Sequence, residues 1–370
     1  MKNLILSLVV LVAAGLVPHV LAQEPLSDQS SDGVKSLEKR VKQLEEAIGR
    51  QVEEEKWYDR IQISGWIGVE AGYGETDFED PAVEDEKTSY ADLATVELVV
   101  DAGIVDHVDG HVIFYYYDDY LFVDEGFITL TGTEAFPAYL IAGRQYIPFG
   151  YFDSYFITDP TTLILGETSE GAVMVGYRIK GELLDISLGA FNGKAQETGD
   201  DDAIDCFVTG LAVNPLEGLM FGASYTSNLA SSDAFNEVVV DSYNLESLVA
   251  GWSIYASYEF LDRFELIGEY VGALDNFKAG EIYDAADTQE RKPIAWNVEF
   301  GVTITETLGL ATRYSGSDDG GEFLPEIQYG AVLNWGFFMD TNLAIEYLHG
   351  DFENDVQETE MVTAQLAVDF

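Results

Sequence analysis

The chain has 370 residues and a formal net charge of −49, from 18 Lys and Arg against 67 Asp and Glu. That balance argues against nucleic acid and other polyanions as partners, and 21 Tyr with 21 Phe argue against a disordered chain. Cys206 is the single cysteine, so no internal disulfide can form.

Residues 1–22 predict a secretory signal. Lys2 and Asn3 open it, Leu4 to Val17 are apolar, and Val20-Leu21-Ala22 offers a small-residue exit, so the mature chain starts at Gln23. The alternative, a membrane anchor, needs a longer apolar run. Residues 23–32 are polar, with Pro25 and three Ser, and predict a linker. Within residues 33–56, Val34, Leu37, Val41, Leu44 and Ile48 recur at spacings of three and four, as the a and d positions of two heptads do. A helix this short is marginal alone in water. It predicts an oligomerisation coil, with a lone surface-lying amphipathic helix as the alternative.

From Trp57 the apolar period changes to two, and the acidity begins: 11 basic residues face 58 acidic ones in residues 57–370. Ile294, Trp296, Val298, Phe300, Val302 and Ile304 alternate with small or polar residues. Ile327 to Phe337 and Leu248 to Phe260 do the same. Runs of about ten such residues are what a tilted membrane-spanning strand requires, and no apolar run here reaches the length of a spanning helix. The pattern predicts an all-β, transmembrane antiparallel β-barrel over residues 57–370. The strands fall at 61–73, 89–104, 109–118, 123–131, 138–147, 171–180, 182–192, 203–213, 218–228, 246–260, 263–274, 293–304, 307–315, 325–337, 341–350 and 359–370. That is sixteen; the third, fourth and eighth have the weakest patterns, which leaves fourteen and eighteen open. Short and long connections alternate, as in outer-membrane barrels. A secreted soluble β-sandwich or solenoid is the rival fold, but no linker divides the region and no fixed-period repeat runs through it. The last strand puts Val362, Ala364, Leu366, Val368 and Phe370 on one face. A terminal aromatic of this kind predicts recognition by outer-membrane insertion machinery, with outer-membrane lipid around the barrel.

If the apolar face meets lipid, the other meets the lumen. Parity assigns inward Glu70, Glu97, Asp101, Glu125, Asp185, Glu259, Glu265, Glu269, Glu299, Glu346 and Asp369, with Arg144, Arg178 and Arg313. A lumen lined by carboxylates concentrates cations. The alternative for any one of these carboxylates is a solvated place at the rim. The segment from Gly143 through Tyr146, Pro148 and Phe149 to Asp159 and Glu167 is more apolar than the other long connections. It predicts a loop folded into the lumen as a constriction; a cap against a neighbouring subunit is the alternative. His107 and His111 are four apart near a turn, too far apart on a strand to share one metal. No nucleophile motif appears, and no cofactor or dedicated metal site is expected. The carboxylate-rich turns at 198–202 and 317–320 do not have the ligand spacing of a calcium loop.

Four features together carry a resemblance: the signal peptide, the coil at Val34 to Ile48, the first strand IQISGWIG at Ile61 to Gly68 and, most specific, the pair GRQYIPFG (Gly143 to Gly150) and DPTTLILGET (Asp159 to Thr168). The chain resembles the LbtU-type siderophore porins and, more loosely, the phosphate-selective porin O/P group. That implies a homotrimeric outer-membrane porin, with its coil in the periplasm, passing small solutes or iron chelates. Two alternatives stand beside it: a general cation-selective diffusion porin, read from charge, and an envelope tether or adhesin with a plugged lumen.

Overall fold

The computed structural model describes residues 57–117, 120–179, 183–199, 203–353 and 356–370. The signal, the linker and the coil, with Val34, Leu37, Val41, Leu44 and Ile48, lie outside the described residues.

Sixteen strands form one closed antiparallel barrel. They are β1 (Ile61–Phe78), β2 (Glu86–Val105), β3 (Val108–Tyr117), β4 (Tyr120–Thr133), β5 (Phe136–Tyr146), β6 (Ser169–Ile179), β7 (Leu184–Phe191) and β8 (Cys206–Leu216), followed by β9 (Leu219–Thr226), β10 (Gly251–Phe260), β11 (Phe264–Ala273), β12 (Ile294–Thr305), β13 (Leu308–Asp318), β14 (Ile327–Phe338), β15 (Thr341–Asp351) and β16 (Gln357–Asp369). Each pairs with its sequence neighbours, and β1 pairs with β16 to close the cylinder. Closure leaves no unpaired edge. At the seam, Gly65 and Phe370 exchange two backbone hydrogen bonds of 3.0 Å. The three strands with weak patterns are all present. β1 and β2 run past their expected ends, and β10 starts at Gly251 because Leu245 and Val249 are buried in a loop core instead.

The two-residue rhythm sorts the side chains. Ile254, Tyr258, Leu266, Val298, Phe300, Ile345 and Tyr347 stand exposed on the outer face, while Ser253, Ile267, Glu269, Glu299 and Glu346 point inward and are buried. Aromatic rings stack at the short-turn end: Phe260 on Phe264 at 5.4 Å, and Phe264 on Phe300 at 5.9 Å. Such a ring belt suits the boundary between lipid and water. The turns there are tight. Leu261 and Asp262, two of the three residues that join β10 to β11, both take positive φ.

The long connections lie at the opposite end, and they fold together. Phe149, Leu165, Phe191, Leu229, Phe235, Leu245, Phe277, Ile282 and Leu324 are buried in one apolar cluster. A porin-sized cylinder has no packed core of its own, so the apolar surface is gathered by loops within one end of it.

Candidate pore constriction

β5 ends at Tyr146 and the chain turns inward. Ile147 and Phe149 sink into the apolar cluster, and the backbone reverses at Gly150, where φ is +84°. A Cβ at Gly150 would collide with the Phe152 ring, so only glycine fits. The loop then crosses to the far wall. A short helix, Thr161–Gly166, buries Leu165 before the chain rejoins the wall at Ser169. Ile147 N–H donates to the Thr168 carbonyl at 3.0 Å, closing the loop's neck.

What holds the loop across the lumen is a row of wall carboxylates. Backbone N–H groups of a loop inside a barrel need acceptors, and ionised acceptors make the stronger bonds. Glu269 of β11 accepts from the N–H groups of Tyr151 (2.7 Å) and Phe152 (3.0 Å), and from the Thr162 hydroxyl (3.1 Å). Glu299 of β12 accepts from the Ser154 hydroxyl (2.8 Å) and the Tyr155 N–H (2.9 Å). Glu346 of β15 accepts from the N–H groups of Ile157 (2.7 Å) and Thr158 (3.1 Å), and from the Thr158 hydroxyl (2.6 Å). Arg313 of β13 completes the row. Its Nε donates to Glu299 at 2.9 Å, its other nitrogens reach the Ser154 hydroxyl (2.6 Å) and the Asp159 carbonyl (3.3 Å), and it lies 4.3 Å over the Phe156 ring. The Tyr155 hydroxyl donates to Glu265, and Asn334 donates to the Tyr155 carbonyl at 3.2 Å.

The inward assignments therefore divide by environment. Glu269, Glu299, Glu346 and Arg313 are sealed under the loop, with at most 6 % of each residue exposed, and Glu265 meets the loop at Tyr155. On the opposite wall, Glu70, Glu97, Asp101 and Glu125 keep partial exposure. Glu70 accepts from Gln365 at 2.7 Å. His111 lies within β3, not in the turn, with Nδ1 2.6 Å from Asp101 and Nε2 3.5 Å from Glu125; His107 occupies the turn. Arg178 and Asp185 pair at 2.8 Å beside Tyr139, and Asp185 lines a cavity with Pro148 and Gly150. Glu259 stands exposed at the short-turn end. Arg144 is a correction: its register partners Gly126 and Gly171 belong to the outward set, so it faces away from the lumen, where its Nε reaches the Asp124 carbonyl. β5 carries apolar residues on both faces, Leu140 and Ala142 on one and Tyr139 and Ile141 on the other, so alternation does not mark the inward face there. Tyr146, expected in the loop, is the last residue of β5, exposed, with its hydroxyl on Asp124. Pro148 and Phe149 form the inward turn. Asp159 is exposed, with Glu70 among its electrostatic neighbours.

Sequence reasoning missed Ser154, Thr158, Ser224 and Asn334, which complete the loop's polar contacts. The signal was the loop itself, whose N–H groups needed acceptors on the inward wall, carboxylates such as Glu269 and hydroxyls such as Ser224.

The electrostatic balance is one-sided. Lys194 pairs with Asp233, Lys278 with Glu290, and Arg291 with Asp287 and Asp319. Together with the Arg178 and Arg313 pairs, these leave a surplus of carboxylates. Within the loop, burial first and then repulsion from Asp159, Asp233, Asp124 and Glu125 together push Glu167 up to about 8.

The chain matches no established family model. It is 28 % identical over 240 residues to a UPF0422 protein of Coxiella burnetii, covering 62 % of this chain and 51 % of that one. It is 24 % identical over 245 residues to a UPF0422 protein of Legionella pneumophila strain Lens, covering 60 % and 45 %. The chain thus matches about half the length of these curated relatives. In structure it is similar to the outer membrane channel DcaP of Acinetobacter baumannii, with a TM-score of 0.59 at 15 % identity, covering 84 % of this chain and 97 % of that one. Salmonella typhi OmpF, in a complex with daunomycin, superposes with a TM-score of 0.57 at 15 % identity and the same coverage. An anion-selective porin from Comamonas acidovorans reaches 0.55 at 11 % identity, covering 84 % and 100 %. At these identities the likeness establishes the fold: a sixteen-stranded barrel of the outer-membrane porin kind.

Proposed function

We propose that the chain is an outer-membrane channel for passive diffusion of small solutes, with a preference for cations. One observation carries the reading. Of the two inward arginines, Arg313 is sealed under the loop against Glu299 and Arg178 is matched by Asp185, whereas Glu70, Glu97, Asp101, Glu125 and Asp159 keep exposure. A water path between low-dielectric walls with such a surplus attracts cations and repels anions. The resemblance to LbtU-type porins supports a second reading, passage of ferric siderophores or other iron chelates. In its favour, the two motifs that carry the resemblance, residues 143–150 and 159–168, frame the inward loop. A homotrimer joined by the coil over residues 33–56, held in the periplasm, completes the proposal.

The test is the purified mature protein in planar bilayers under a salt gradient. The reading expects conducting steps and a reversal potential of the cation-selective sign. Anion selectivity would overturn the preference, and absence of conductance would favour a plugged tether. Liposome uptake of a ferric chelate, compared with a neutral solute of equal size, tests the second reading.

A further inference from the structure

Away from the lumen, β15 and β16 carry a histidine and carboxylates on the outer face, near the long-loop end. Register places His349 opposite Glu360 and Asp351 opposite Glu358. His349 Nε2 lies 2.9 Å from Asp351 Oδ1. One ligand atom each from His349, Asp351 and Glu358 falls within 4.8 Å of the others. We propose that these three residues form a binding site for a divalent first-row transition ion such as Zn²⁺.

The chemistry fits that class of ion. Zinc accepts imidazole nitrogen and carboxylate oxygen together, and this trio offers one nitrogen with two carboxylates, whereas Ca²⁺ and Mg²⁺ favour all-oxygen shells. Two atoms bound to one ion at about 2.1 Å lie roughly 3–4 Å apart, so the His349 and Asp351 atoms already have near-ligand spacing and Glu358 needs only a side-chain rotation. Glu358 is exposed. The imidazole is also oriented. Its Nδ1 faces Glu360 at 3.9 Å, its ring packs on Tyr329 with centroids 4.9 Å apart, and Glu360 is steadied by the Tyr347 hydroxyl at 3.2 Å. A carboxylate behind a ligating histidine fixes the ring and raises its basicity. On β1, Asp77 stands opposite Glu358 and adds negative potential, while Glu75, opposite Glu360, is paired with Lys87; neither supplies a second imidazole. The fourth position faces outward and would hold water. Such an ion would tie β15 to β16 where their connecting loop leaves the wall.

The experiment is titration calorimetry of the full barrel in detergent with ZnCl₂, in buffer that already contains excess Mg²⁺ to occupy general acidic sites. The expected result is one Zn²⁺ per chain, lost in His349→Ala and weakened about 10-fold or more in Glu360→Gln. Circular dichroism confirms that both variants retain the barrel, and Glu75→Gln is the control that should leave the site intact. Equal Zn²⁺ binding by wild type and His349→Ala overturns the proposal. So does displacement of Zn²⁺ by Mg²⁺, since that marks a diffuse acidic surface.

Discussion

Glu299 and Arg313 face each other across β12 and β13, 2.9 Å apart, and neither side chain is exposed at all. Both also hold the loop, through Ser154 and the backbone of Tyr155 and Asp159. Removing one partner of such a pair strands the other charge, at a cost of about 3–5 kcal/mol, because burial has stripped its water. Arg313→Ala should therefore lower the apparent melting temperature of the barrel in detergent. It should also free the loop, giving larger or noisier single-channel conductance. Glu299→Gln combined with Arg313→Met should cost less than the two single changes summed, because neither charge is then left alone. Additive losses would mean that the two residues do not act as a unit.

Glu346 isolates the anchoring effect from the ion pair. It takes three donors from Ile157 and Thr158. Glu346→Gln keeps the shape, loses the charge, and sets an amide N–H₂ against loop donors. A destabilisation of roughly 1–3 kcal/mol is expected, with greater exposure of the loop. Protease cleavage near Ile157 and Thr158, followed on intact protein in micelles, should be faster than in wild type. An unchanged cleavage rate would show that the loop is held by its apolar residues alone.

The barrel was legible because lipid imposes a strict rhythm: outward residues such as Val298 and Phe300 must be apolar, so Glu299 between them must face in. The loop's inward course was legible from Phe149 and Leu165, which water would not tolerate. What sequence could not separate was an inward carboxylate facing water from one facing a backbone N–H. Glu70 and Glu299 look alike in the strand pattern, yet one keeps exposure and the other has none. Only the path of the loop divides them. Arg144 escaped for a different reason: β5 is apolar on both faces, with Leu140 and Ala142 on the side of Arg144 and Tyr139 and Ile141 on the other, so counting by twos had nothing to anchor it.

Glu167 should give the pore a pH response. An ordinary glutamate titrates near 4.5, whereas burial and surrounding carboxylates hold this one at about 8. Between those values the folded protein keeps a proton that the unfolded chain has released. Its contribution to stability therefore declines as pH rises through that window and levels off above it. Its ionisation above the window also adds a negative charge beside the path, so cation selectivity should rise. Reversal potentials for wild type and Glu167→Gln should coincide near neutrality and diverge in alkali. Curves that stay parallel across the range would show that Glu167 is not the group responsible.

The seam offers a test of closure. Gly65 and Phe370 are joined by two backbone bonds, and a Cβ on Gly65 would strike the Phe370 ring and the Glu97 carbonyl. Deleting Phe370 removes both bonds and leaves the N–H and C=O of Gly65 unpaired at the end of the wall. Each unpaired group costs several kcal/mol where lipid supplies no partner. In detergent refolding from urea, the deletion should lower the yield of compact barrel. Gly65→Val should do the same by forcing the ring aside, with the terminal residue still present. If Gly65→Val refolds normally while the deletion fails only in cells, Phe370 acts through recognition during insertion. If both fail in vitro, closure itself depends on the contact.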